Sequence, residues 1–73
     1  MKKHNKNIKL MLFGVRLKNK RSLKYSQKTL AKKIGISPNF ISLIENCKRL
    51  PSLPLLYKIA IALDCSTDYL MGL

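Results

Sequence analysis

Asn39, Ser42 and Asn46 follow one another at spacings of three and four residues, with Leu43 beside them and Pro38 and Phe40 just before. Such spacing puts them on one side of a helix. The stretch pairs no acid, histidine or thiol with a second positioned group, so bond-breaking chemistry is not expected of it. What these side chains can do is read an edge. An asparagine amide donates and accepts at once and matches N6 and N7 of adenine, Leu43 offers an apolar face to a thymine methyl, and Ser42 can meet base or phosphate. Asn39 is the first choice for direct readout. Pro38 and Phe40 supply shape and methyl contact rather than hydrogen bonds. Lys28, Lys48 and Arg49 flank the group as cations suited to phosphate oxygens, which position a protein on a duplex without specifying its sequence, and Gln27 and Ser37 complete the candidate binding set.

The elements that must position these residues are marked locally. Ser26 and Ser37 each precede an apolar-periodic segment, where a hydroxyl can accept from an orphan N–H of the first turn. Pro38 follows Ser37 at the first helical position, where its missing donor costs nothing. Between the two segments Gly35 stands where the chain must turn and a residue free to adopt φ > 0 is favoured. Leu30, Ala31 and Ile34 face inward from the first helix, Ile41 and Ile44 from the second, about 38–46. The pattern is a helix-turn-helix.

These residues, Ser26-Gln27-x-x-Leu30-Ala31-x-x-Ile34-Gly35-Ile36-Ser37 and Ile41-Ser42-x-Ile44-Glu45-Asn46, resemble the repressor/Cro (XRE-type) helix-turn-helix family of DNA-binding proteins. The likeness extends from about Phe13 to Leu70, through Pro51-Ser52-Leu53 and Ile59-Ala60-x-Ala62-Leu63-Asp64-Cys65-Ser66. It implies an all-α, compact five-helix lambda-repressor-like domain, with double-stranded DNA as partner and a dimer acting on a roughly two-fold operator, more often as repressor than activator. It further implies that Gln27 reaches a phosphate and braces the recognition helix, and that a helix-1 cation pairs with Glu45. Arg21 is the cation near that place, with Lys20 as alternative because the loop before Ser26 is one residue shorter than usual. Cys47 stands where the family has glycine, so a left-handed backbone is expected there. No effector or oligomerisation domain is expected beyond this one, and the resemblance places dimer contacts at Tyr69, Leu70, Met71 and the preceding loop.

The chain has 73 residues and a net charge of +12, and the charge is lopsided. Residues 1–36 hold twelve of the fifteen Lys and Arg and no acid, whereas residues 37–73 hold three cations against Glu45, Asp64 and Asp68. That asymmetry is the footprint of a protein that neutralises a polyanion, although anionic lipid would attract it too. The length allows one domain with a small core and no large enzyme pocket. Cys47 and Cys65 have neither the number for a disulfide scaffold nor the partners of a zinc site, and His4 likewise lacks partners. Reduced thiols and a cytoplasmic location are expected, with no metal, cofactor or small-molecule ligand and no enzymatic activity. Glu45, the one acid before Asp64, fits a structural ion pair better than catalysis. Leu10–Phe13 faintly imitates a signal peptide, but Arg16 and Lys18 cut the apolar run short, and no segment could span a bilayer.

In chain order, residues 1–7 are expected to be a basic flexible arm and residues 8–73 the domain. Helix 1 is expected over about Ile8–Arg21, with Leu10, Phe13 and Leu17 on one face and Ile8, Leu12 and Val15 on another. The second stripe either covers the C-terminal helices or meets a partner or membrane. Ser52 should cap a helix that turns Leu53, Leu56, Ile59, Ala60 and Leu63 inward, with Pro54 tolerable in its first turn. Ser66 should cap a last short helix. Two alternatives remain open to a DNA-binding regulator: an antitoxin-like partner-binding module, and a basic amphipathic membrane-surface protein.

Overall fold

The computed structural model describes the backbone from Lys2 to Leu73 and the side chains from Leu12 onward. Five helices follow one another: α1 (Lys2–Ser22), α2 (Gln27–Ile34), α3 (Pro38–Glu45), α4 (Leu53–Leu63) and α5 (Thr67–Met71). No strand occurs among the described residues. Four of the starts are fixed by serine. Ser26, Ser37, Ser52 and Ser66 have extended backbones, and their hydroxyls accept from the N–H of Thr29, Phe40, Leu55 and Tyr69 at 3.0, 3.2, 3.4 and 3.0 Å. Each satisfies a donor that the first turn leaves orphaned, an interaction typically worth about 1 kcal/mol.

The ends of α2 to α5 share a second local device. At each, a residue with positive φ turns the chain, and the next N–H bonds back five residues. Gly35 and Gly72 do this at φ 77°, a conformation without steric cost for glycine. Cys47 does it at φ 65°: its N–H donates to Ile44 and that of Lys48 to Leu43, as in a Schellman end. Asp64 closes α4 at φ 54° in the same way, Cys65 N–H reaching Ala60. The left-handed turn expected at Cys47 is therefore present, and Asp64, a type that tolerates it better, was not foreseen.

The core is drawn from every helix: Phe13 and Leu17, then Leu30, Ala31 and Ile34, then Ile41 and Ile44, then Leu55, Leu56, Ile59, Ala60 and Leu63, and finally Leu70. Each large side chain buried this way contributes about 1.5–3 kcal/mol of transfer free energy. α2 packs on α3 and α4, while α1 lies against α3 and α5. Leu12, from the second stripe of α1, sits close to Gly72 at the end of α5, whereas Val15 is exposed.

Three expectations change. α1 begins at Lys2 rather than near Ile8, since neither proline nor glycine interrupts residues 2–13 and nothing local stops the helix once Phe13 and Leu17 anchor it. The basic residues of the expected arm thus belong to a helical backbone, and their side chains, with those of Ile8 and Leu10, lie outside the described residues. Leu53 points outward and Leu55 takes an inward place, because α4 is apolar all round and its own periodicity cannot fix its rotation. Leu70 is wholly buried within the protomer, which removes it from any dimer contact.

Candidate nucleic-acid interface

The outward side of α3 is held in place from behind. Arg21, at the end of α1, donates through Nε and Nη2 to the two carboxylate oxygens of Glu45, while its Nη1 donates to the Tyr25 carbonyl at 2.9 Å. Gln27, the first residue of α2, donates through Nε2 to Oε1 of the same carboxylate at 2.9 Å. With side chains only 10% and 2% exposed, Arg21 and Glu45 form a buried pair whose carboxylate receives three donors. Such a pair is tolerated in a core because every charge is matched and hydrogen-bonded. Its effect is positional: the ends of α1 and α3 and the start of α2 are pinned at one point. Lys20, the other cation near that place, lies over the Tyr69 ring at 5.2 Å.

Gly14 lets α1 approach that closely. A Cβ added there would come 2.7 Å from the Ile44 carbonyl oxygen, 2.9 Å from that of Glu45 and 3.0 Å from the Cys47 sulfur. The first two neighbours are backbone and cannot swing away, so α1 and the last turn of α3 touch at a place only glycine fits. Sequence reading passed over Gly14, although an isolated glycine within a helical apolar pattern was its signal.

On the opposite side of α3 the side chains are open to solvent. Asn39 is exposed and has no side-chain hydrogen bond among the described residues. Asn46 donates through Nδ2 to Ser42 Oγ at 3.2 Å, joining two of the candidate readers into one polar edge. Leu43 is partly covered beside them. Pro38 is exposed at the helix start, and Ser37, whose oxygen caps the helix, keeps its O–H as a donor. Phe40 is placed differently from the others. Its ring leans on the core, and the Arg49 guanidinium lies over it at 5.5 Å, so it anchors the loop cation to the helix instead of standing free.

Lys28, Lys48 and Arg49 are all exposed, the first at the start of α2 and the other two in the α3–α4 loop. Gln27 spends one amide hydrogen on Glu45 and retains the second. Both cysteines are thiols; burial pushes the Cys65 thiol above its usual range, opposed by Lys20 and assisted by Asp64, which makes it a poor nucleophile. Among the described residues no group of three His, Cys, Asp or Glu could hold a metal ion, and no helix is long and apolar enough to cross a membrane.

Residues 15–70 match the helix-turn-helix family. Comparison with curated proteins gives no match. Among solved structures the chain is similar to the restriction-modification controller protein C.AhdI from Aeromonas hydrophila, with 35% identity over 84% of this chain and 94% of that one, at a TM-score of 0.77. It also shares its fold with the hypothetical transcription factor NHTF from Neisseria, at 23% identity over 86% of this chain and 74% of that one, with a TM-score of 0.79. The chain belongs to the XRE-type helix-turn-helix family, and its fold is that of DNA-binding transcription regulators.

Proposed function

We propose that this member of the XRE-type family is a sequence-specific repressor that acts in the cytoplasm, as a dimer on a two-fold operator in double-stranded DNA. One observation carries the reading. The inner side of α3 is locked by Arg21, Glu45 and Gln27, while Asn39 and Asn46 are exposed and Ser42 and Leu43 half-buried on its other side, with exposed cations in the adjoining segments, Lys28 at the start of α2 and Lys48 and Arg49 in the α3–α4 loop. A rigid helix with an amide-rich face is suited to the major groove, where base edges carry a unique donor and acceptor code.

Roles divide by chemistry. Asn39 takes an adenine edge, Leu43 a thymine methyl, and the Ser42–Asn46 pair a base or a phosphate beside it. Lys28, Lys48 and Arg49, with the second amide hydrogen of Gln27 and the Ser37 hydroxyl, take phosphates and set the register. Arg49 is pre-oriented by the Phe40 ring, which lowers the entropy lost on contact. The twelve cations of residues 1–36 supply the long-range attraction. Likeness to a restriction-modification controller supports a regulatory rather than an architectural role. Repression follows sterically if the operator overlaps a promoter.

The test is selection of bound duplexes from a random pool, followed by sequencing. An enriched motif with two-fold symmetry is expected; an unenriched pool would remove sequence-specific readout from the function.

A further inference from the structure

Phe40 has no hydrogen bond to offer a base edge, yet it stands among the candidate readers of α3, three residues before Leu43. Its ring is half-buried against the core and carries the Arg49 guanidinium 5.5 Å from its centroid. Of the three arginines, Arg21 is engaged by Glu45, and Arg16 lies over Tyr69 with its Nε buried and unpartnered among the described residues. Arg49 is the one that is exposed. Among the described residues no hydrogen bond or ion pair engages it, so its five N–H donors are open to an acceptor. Tyr25 and Tyr69 also lie under cations, but each is shared by two of them and neither stands on α3.

We infer that Phe40 is a positioning residue that makes recognition depend on DNA shape: by holding Arg49 it fixes the distance between the base edges read from α3 and the phosphate that Arg49 meets. The inference rests on the sequence-specific reading above. Each link of the mounting is stiff. Arg21 and Gln27 pin α3 at Glu45, the Phe40 ring leans on the core, and a guanidinium lying over a ring keeps its N–H edge in one plane. Its planar fork takes two phosphate oxygens at once and tolerates little displacement. Lys48 is the contrast, an ammonium on a flexible stem that follows whichever phosphate is near. Groove width and local bend vary with sequence, so a fixed spacing is met more easily by some duplexes than by others, even at base pairs that no side chain touches. A cation free to swing would follow the backbone of every duplex and discriminate among none.

The test is fluorescence anisotropy of the full chain on the duplex selected from a random pool and on an unrelated duplex of equal length. The variants are Phe40→Leu, Phe40→Tyr, Arg49→Lys and the Phe40→Leu/Arg49→Lys pair. Phe40→Leu keeps an apolar side chain against the core and removes the ring, while Arg49→Lys keeps the charge and removes the fork. Each is expected to weaken binding to the selected duplex by about two- to five-fold, the size of an exposed cation–π contact, and to leave the unrelated duplex nearly unaffected. The pair should lose no more than either alone, because both changes remove one interaction. Phe40→Tyr, the conservative variant, keeps a ring and should recover the affinity lost in Phe40→Leu. Selection repeated with Phe40→Leu should retain the bases read by Asn39 and Leu43 and flatten the preference at the positions beside them. Additive losses in the pair, equal losses on the two duplexes, or an unchanged selected motif would overturn the inference while leaving sequence-specific binding intact. A wild type that does not distinguish the duplexes would overturn both. Should Phe40→Leu unfold, Arg49→Lys decides the matter, since it removes nothing from the core: a loss confined to the selected duplex supports the inference, and no loss or an equal loss on both overturns it.

Discussion

α3 and α4 are built by the same local rules and turn opposite chemistries outward. Each is started by a serine cap followed closely by proline, each buries one apolar side, and each ends on a non-glycine residue with positive φ, Cys47 or Asp64. Outward, however, α3 shows Asn39, Ser42, Leu43 and Asn46, while α4 shows Leu53, Tyr57 and Ile61. The buried halves and the caps set stability and placement; the exposed halves set what each helix can meet. Polar amides lose little in water and gain at a base edge, whereas exposed leucine, tyrosine and isoleucine gain only by being covered. A small domain can in this way carry two unlike surfaces on consecutive helices.

Salt should separate the two surfaces most widely. DNA affinity is expected to fall on the order of 10³–10⁵ between about 50 and 200 mM salt if a dimer meets roughly six to ten phosphates, while any contact made by the apolar row of α4 stays nearly flat. A flat DNA titration would sink the electrostatic account. The next effect in size concerns the pin behind α3. Arg21→Ala leaves Glu45 buried and uncompensated, and should destabilise the domain by about 3–5 kcal/mol in denaturant unfolding; a loss below about 1 kcal/mol would mean that the pair is solvated in solution.

Readout and positioning should separate on α3 itself. Asn39→Ala is expected to lose about 1–3 kcal/mol on the selected duplex and little on random DNA, whereas Lys48→Ala weakens both alike. Equal losses for Asn39→Ala on the two duplexes would take it out of the reading set. Gly14→Ala comes next, at about 1–2 kcal/mol of net destabilisation, because crowding against the Ile44 and Glu45 carbonyls outweighs the gain in helix propensity. An unchanged or raised melting temperature would show that α1 can withdraw from α3 at no cost. The smallest effect is Cys47→Gly, which should relieve about 1 kcal/mol of left-handed strain, partly offset by the freedom glycine gives the unfolded chain and by lost packing of a half-buried thiol. A small rise in melting temperature with DNA binding retained is expected; a clear fall would show that the thiol's packing dominates.

Much of this molecule is determined within short windows of its sequence. The four serine caps, the glycine turn at Gly35 and the inward faces of α2 and α3 all follow from interactions spanning a handful of residues, whereas the left-handed turn at Cys47 was legible only through the family resemblance. Backbone capping and helical periodicity are local, so the chain states them directly. Other features were decided only when the helices packed. Which of Lys20 and Arg21 meets Glu45 depends on the rotation of α1 against α3, across 24 residues of chain, and Arg21 has it. The same close approach gives Gly14 its role and directs Gln27 to the carboxylate. The rotation of α4, with Leu55 in and Leu53 out, is likewise tertiary, since a helix apolar on every side has no pattern to declare which side is the core.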